Sequence, residues 1–142
     1  MDITANYSGS YSPDTTVSRS HTVSRLLQWT YGLVPIVAGA DKFMHLLTDW
    51  DKYLAPGIAN LLPFSTHTFM SVVGVIEMVA GALVLIKPKT GSIIVAFWLI
   101  GIALNLLIGG QYFDVAVRDV VMAIGALSLF LLVSNYRQER VQ

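Results

Sequence analysis

Four long apolar segments dominate this sequence, and their length limits the folds it can adopt more than any other feature. A helix that crosses the hydrocarbon core of a bilayer needs roughly 20 mainly apolar residues, because it rises about 1.5 Å per residue. The segments that meet this requirement are residues 26–47, 67–86, 91–109 and 115–134. The sequence therefore predicts an all-α fold, a bundle of four transmembrane helices.

Charged residues are scarce in the chain. Of its 142 residues, 54% are hydrophobic and 13% are charged, whereas soluble domains carry roughly 25% charged residues. The nine basic and nine acidic residues balance, which leaves no basic surface for nucleic acid. The absence of cysteine excludes thiolate nucleophiles, disulfide exchange and cysteine-ligated clusters. We therefore predict that the protein lies in a lipid bilayer and that nucleic acid is not its partner.

The distribution of Lys and Arg predicts the orientation, because cytoplasmic flanks are enriched in these residues. One side of the predicted bundle holds Arg19, Arg25, Lys87, Lys89, Arg137 and Arg140. We therefore expect both termini in the cytoplasm. The predicted organisation is a polar N-terminal tail (1–24), a four-helix transmembrane domain (25–136) and a charged C-terminal tail (137–142).

The N-terminal tail is rich in Ser, Thr and Asp. It lacks the apolar stretch of roughly 7–15 residues that a cleaved signal peptide contains, so we expect the first span to be retained. Its polar composition favours disorder, with docking onto a partner as the alternative.

Several polar side chains fall inside the predicted spans. An ionisable group near the centre of a transmembrane helix costs roughly 2.5–3.5 kcal/mol, so it needs a partner or a wet cavity. With the predicted orientation, the whole set lies in the non-cytoplasmic half: Asp41, Lys42, His45, Glu77, Asn105, Arg118 and Asp119. Because four helices contribute to it at similar depth, we predict a shared polar intramembrane cluster.

Helical spacing supports an inward direction for two of these residues. Glu77 shares one face of its helix with Gly74 and Gly81, and small residues mark helix interfaces in membranes. The same argument places Asn105 on a shared face with Gly101 and Gly109.

The opposite charges suggest specific pairs. Lys42 or Arg118 could neutralise Glu77, and Arg118 could neutralise Asp41, with Asn105 supplying hydrogen bonds. Two interpretations stay open: a structural ion-pair network, or a small polar pocket for a headgroup, a quinone, an ion or a proton. If the residues near the interface reach water, only Glu77 is deep in the membrane.

Motifs for catalysis or metal binding are weak in this sequence. His45 and His67 could in principle ligate haem, but neither is central in its span and no Cys-x-x-Cys-His sequence is present. No glycine-rich phosphate loop or Ser-His-Asp arrangement is visible. The sequence predicts no catalytic residue, no metal site and no bound cofactor, although a quinone or a lipid would suit a polar pocket.

The motifs of the predicted helices resemble those of the DoxX-like family of small four-helix membrane proteins. The resemblance rests on Ala-Gly-Ala-Asp-Lys-Phe at 38–43, on Gly-Val-Ile-Glu-Met-Val-Ala-Gly at 74–81, and on Asn105. Arg118-Asp119 looks like a related dipeptide. The pattern covers roughly residues 26–134.

The resemblance implies a four-helix bundle associated with membrane redox systems, since family members include a small subunit of a thiosulfate:quinone oxidoreductase. The lack of cysteine separates this chain from relatives that handle thiols. We therefore expect a non-catalytic accessory subunit of a respiratory or other electron-transfer complex. It would pack against other membrane subunits in a bacterial cytoplasmic (inner) membrane.

Two other functions are compatible with the sequence. One is a binding or transport protein that holds a small ligand in a polar pocket in the outer half of the bundle. The other is an enzyme acting on a lipid or a quinone, for which Asp41, His45 and Glu77 are the acid–base candidates.

Overall fold

A computed structural model describes residues 13–139, with the side chains of residues 18–135. Regular structure in this part of the chain is entirely helical, as predicted. A 3₁₀ turn at Trp50–Tyr53 lies in the connection after the first helix. The α-helices are α1 (Pro13–Met44), α2 (Pro56–Ala59), α3 (Thr66–Ile86), α4 (Pro88–Gly109) and α5 (Phe113–Glu139).

Three helices in the described part of the chain are long and apolar enough to cross a membrane. These are α3, α4 and residues Phe113–Asn135 of α5. About half of their large apolar side chains are exposed on the outside of the bundle, which is the expected pattern where lipid is the solvent. These three helices confirm the prediction of an integral membrane protein with transmembrane helices.

The long helices alternate in direction around the bundle. Gly32 of α1 faces Gly81 of α3, whereas Gly39 faces Gly74, so α1 and α3 are antiparallel. Lys87 alone joins α3 to α4, and residues 110–112 join α4 to α5. Contacts between α1 and α5 close the ring. We call the end that carries residues 45–65 and 110–112 the loop end.

Glycines allow α1 and α3 to approach closely. A Cβ atom on Gly39 would meet the carbonyl oxygen of Gly74, and a Cβ on Gly81 would meet the carbonyl oxygen of Gly32. Backbone contact of this kind is a common way to pack helices in membranes, where lipid gives no hydrophobic drive for association. The predicted packing role of Gly74 and Gly81 agrees with this arrangement.

The centre of the bundle is built mainly from small side chains. Its buried residues are Ala80, Val84, Val95, Ala96, Ala126 and Leu129. Alanine and valine keep the helix axes close together, so the bundle has little interior space. Polar groups inside it are therefore shielded from water.

Local signals fix the helix ends. Ser65 caps α3 by accepting a hydrogen bond from the Thr68 amide at 3.2 Å, as Ser commonly does at this position. Pro88 occupies the first turn of α4, where its missing N–H is harmless. Gly110 ends α4 in the left-handed conformation, with φ of 67°, which favours glycine.

α1 begins at Pro13, inside the predicted N-terminal tail. From Asp14 to Arg25 the sequence contains neither Pro nor Gly, so nothing breaks the helix before the apolar part. Residues 1–12 lie outside the described residues. The predicted C-terminal tail begins inside α5, and Arg140 lies outside the described residues.

Candidate functional site

A buried ion pair joins α1 to α3. Lys42 Nζ lies 2.6 Å from Glu77 Oε2, and the two side chains are only 4% and 8% exposed. Of the two cations considered for Glu77, Lys42 is its partner. Because the surroundings are apolar, each charge depends on the other for stabilisation.

Two indole rings enclose this pair. The Lys42 ammonium lies 3.8 Å from the centroid of the Trp50 ring, a cation–π contact. Trp98 of α4 donates its Nε1 hydrogen to Glu77 Oε1 at 3.4 Å. Trp50 thus covers the pair from the loop end, and Trp98 holds the second carboxylate oxygen.

Asp119 of α5 is a second buried carboxylate beside this pair. It is 6% exposed and close enough for its charge to interact with those of Glu77 and Lys42. Its Oδ2 atom is shielded from water and accepts no hydrogen bond from the described residues. We call Lys42, Glu77 and Asp119 the ion-pair cluster.

Asp41 has a separate role at the end of α1. Its carboxylate accepts hydrogen bonds from the amides of Leu46 and Leu47 at 2.9 and 3.1 Å and from Trp50 Nε1 at 2.7 Å. These bonds turn the chain after α1 and fix the ring that covers Lys42. Asp41 therefore positions the loop, and its oxygens are occupied by groups of this chain.

The predicted pairing of Arg118 with Asp41 is wrong. The Arg118 side chain is 74% exposed, and its nearest carboxylate is Asp114, one turn earlier, at 3.7 Å. Neighbouring residues on a helix point about 100° apart, so Asp119 faces inward while Arg118 faces outward.

Asn105 joins α4 to the connection between α1 and α3. Its Oδ1 accepts from the Ala55 amide at 3.1 Å, and its Nδ2 donates to the Tyr53 carbonyl at 2.8 Å. Gly109, one turn on, lies against Ala55, whereas Gly101 faces open space. The interface predicted for this face of α4 is therefore wrong at Gly101, and Asn105 binds a loop instead of a helix.

A small hollow lies beside Asn105, lined by Tyr53, Ala55, Gly109 and Tyr112 among others. Its volume is about 40 Å³, which is room for very few water molecules. Pockets for small organic ligands usually measure roughly 300–1,000 Å³. This hollow cannot hold a quinone ring.

His45 lies apart from the ion-pair cluster, at the loop end. Its ring stacks on that of His67, with centroids 5.1 Å apart, and Asp51 Oδ2 lies 4.0 Å from His67 Nδ1. We call His45, Asp51 and His67 the histidine cluster.

Sequence reasoning paired His45 with His67 only as possible haem ligands, and it missed three other residues that contribute to these sites: Trp50, Trp98 and Asp51. Trp98 lies on the same face of α4 as Asn105, two turns earlier, which was a usable signal. Trp50 and Asp51 lie in the connection between α1 and α3, where helical periodicity carries no information.

Comparison of the chain with protein-family models, with curated proteins and with solved structures gave no match.

Proposed function

We propose that this chain is a membrane protein that binds and releases a proton within its helix bundle. The observation that carries the proposal is the composition of the ion-pair cluster, in which a second buried carboxylate, Asp119, lies near the buried Lys42–Glu77 pair without a cation of its own among the described residues. With both carboxylates ionised, the cluster has one uncompensated negative charge in an apolar medium, which is unfavourable. One added positive charge neutralises it.

A proton suits this position better than a larger ligand. The small side chains of the core leave little space, and a proton requires none. With the proton on Asp119, the ammonium group balances Glu77 and the cluster is neutral. Release of the proton leaves two ionised carboxylates, Glu77 and Asp119, with one ammonium group to balance them.

The membrane arrangement that we propose has four crossings, with α1 as the fourth. This crossing is supported by the apolar side chains that α1 exposes, including Leu33, Val34 and Val37. The charged side chains of Asp41 and Lys42 are buried instead, as expected for a helix in contact with lipid. The distribution of Lys and Arg favours termini on the cytoplasmic side of a bacterial inner membrane. The ion-pair cluster would then lie in the outer half of the bundle.

Infrared spectroscopy of the purified protein at mildly acidic pH tests the proposal. We expect the carbonyl band of a protonated carboxylic acid in the parent protein, shifted in heavy water. Asp119→Asn should remove this band, because only the neutral cluster Lys42–Glu77 then remains.

Asp114→Asn is the matched control, since Asp114 is an exposed aspartate on the same helix. It should leave the band unchanged. A parent spectrum with ionised carboxylates alone, or a band that survives in Asp119→Asn and Glu77→Gln alike, would overturn the proposal.

A second candidate function is an accessory role in an electron-transfer complex of the DoxX-like type, with other membrane subunits as partners. It is favoured by the short connections between α3 and α4 and between α4 and α5, which leave little room for a catalytic domain outside the membrane. Reduction of a quinone consumes protons, so a proton-binding subunit would suit such a complex.

Co-purification tests this second candidate. After extraction from native membranes in a mild detergent, we expect the chain to migrate with larger membrane subunits identified by mass spectrometry. Gly101→Ala, which alters an exposed helix position, should preserve this association. Recovery of the chain alone under several mild detergents would rule the accessory role out.

A further inference from the structure

We infer that the loop end carries a site for a divalent transition-metal ion, with His45, Asp51 and His67 as its ligands. The three residues come from different segments. His45 follows α1, Asp51 lies in the 3₁₀ turn, and His67 lies in the first turn of α3. The folded connection brings one ligand atom of each to within 4.8 Å of the others.

The distances suit an ion with little rearrangement. Zinc binds imidazole nitrogen and carboxylate oxygen at about 2.0–2.2 Å, so ligand atoms around it lie about 3.4 Å apart. His67 Nδ1 and Asp51 Oδ2 are 4.0 Å apart. Both histidine side chains are exposed, so rotation of their rings can close the remaining gap.

The environment of Asp51 points to an ion as its partner. Its Oδ1 atom is shielded from water and accepts no hydrogen bond from the described residues, and 4.0 Å is too long for a hydrogen bond from His67 to Oδ2. Shielded carboxylate oxygens normally have a partner, and a bound cation satisfies such an oxygen where no donor group reaches it.

The backbone of His45 supports the same conclusion. Its φ of 52° lies in the left-handed region, which few residues other than glycine adopt, although His, Asn and Asp do so more often than most. This conformation turns the chain immediately after α1 and places the ring of His45 against that of His67. A local conformation of this kind is often found where a side chain must be aimed at a ligand.

The ligand types select the class of metal. Two imidazoles and one carboxylate favour zinc or another first-row transition ion, whereas calcium and magnesium prefer sites made of oxygen ligands. Haem does not fit, because its two axial histidines lie on opposite faces of the porphyrin and these rings stack on each other. Three protein ligands leave a fourth position for water or a small ligand.

A bound ion would connect the histidine cluster to the ion-pair cluster. Asp51 follows Trp50, whose ring lies over Lys42. Ligation of Asp51 would fix the turn that carries this ring, and ligation of His45 and His67 would tie the end of α1 to the start of α3. The ion would therefore hold the cover of the buried pair in place.

Zinc titration of the full chain in detergent, in competition with a chromophoric chelator, tests the inference. We expect one ion per chain in the parent protein. Asp51→Asn, His45→Ala and His67→Ala should each weaken binding by about 100-fold or more, since even outer-sphere changes weaken metal sites by roughly 10–100-fold. Zinc-edge X-ray absorption should detect two imidazole ligands.

His21→Ala is the matched control, because His21 is an exposed histidine on α1 far from the loop end. It should bind zinc like the parent. Asp51→Asn keeps the size of the side chain, and circular dichroism with size-exclusion chromatography identifies any variant that fails to fold. Asp119→Asn should retain zinc binding, which separates this site from the proton-binding proposal. Equal affinity in the parent and Asp51→Asn, or loss of binding in His21→Ala alone, would overturn the inference.

Discussion

Replacement of Lys42 by Met is expected to lower the free energy of unfolding by about 3–5 kcal/mol, the usual loss when one partner of a buried ion pair is removed. The reason is the position of Glu77, which is 8% exposed and would lose its cation at 2.6 Å. Reversible unfolding of the purified protein in a denaturing detergent, followed by circular dichroism, measures the change.

The double variant Lys42→Met and Glu77→Gln should regain at least half of this loss, because no unpaired charge then remains between α1 and α3. Lys52→Met is the matched control: Lys52 is an exposed lysine of the loop end, so its removal should change stability by less than about 0.5 kcal/mol. If Lys42→Met were as mild as Lys52→Met, the ion pair would contribute nothing measurable to the fold.

The membrane-spanning helices were predictable because length and hydropathy are sufficient evidence for them. The segments predicted at 67–86 and 91–109 lie within α3 and α4, with their ends at Ser65, Pro88 and Gly110. The prediction was poorest for α1. Its polar first half continues the helix without an apolar signal, and composition alone cannot distinguish such a helix from a disordered tail.

The buried cluster was predictable in part, from the cost of placing charges in a membrane. The choice between Arg118 and Asp119 was missed, although α5 contained a signal for it. Its buried positions repeat every three or four residues: Ala116, Asp119, Ala123, Ala126 and Leu129. Asp119 lies on this row of mainly small residues and Arg118 does not, so the row identifies the inward residue.

The sequence suggested His45 and His67 as a possible ligand pair, for haem, but it could not predict the histidine cluster with Asp51 as its third member. His45, Asp51 and His67 are brought together by the path of residues 45–65, which depends on hydrogen bonds of Asp41 and Asn105 to loop amides and carbonyls. Periodicity does not encode such contacts. The positive φ of His45 is a property of the folded chain, since histidine itself does not require it.

Replacement of Gly39 by Val is expected to disrupt the packing of α1 on α3, with a loss of about 3 kcal/mol or more. The new Cβ atom would overlap the carbonyl oxygen of Gly74 and press on the Met78 side chain. A backbone atom cannot rotate away, so α1 must move as a whole, and overpacking of this kind exceeds the usual 1–3 kcal/mol. The same movement would pull Lys42 from Glu77, because the Lys42 side chain also lies against Gly74 at this contact between the helices.

Gly101→Val is the matched control, because no atom lies within 4 Å of a Cβ placed there. This substitution should leave stability unchanged or raise it slightly, since Val is a better helix former than Gly. Unfolding in denaturing detergent measures both variants, and the fluorescence of Trp50 and Trp98 reports whether their contacts with the ion pair survive. Equal stability of the two variants would mean that α1 and α3 do not meet through their glycines, and the position of the ion pair between them would then lack its structural basis.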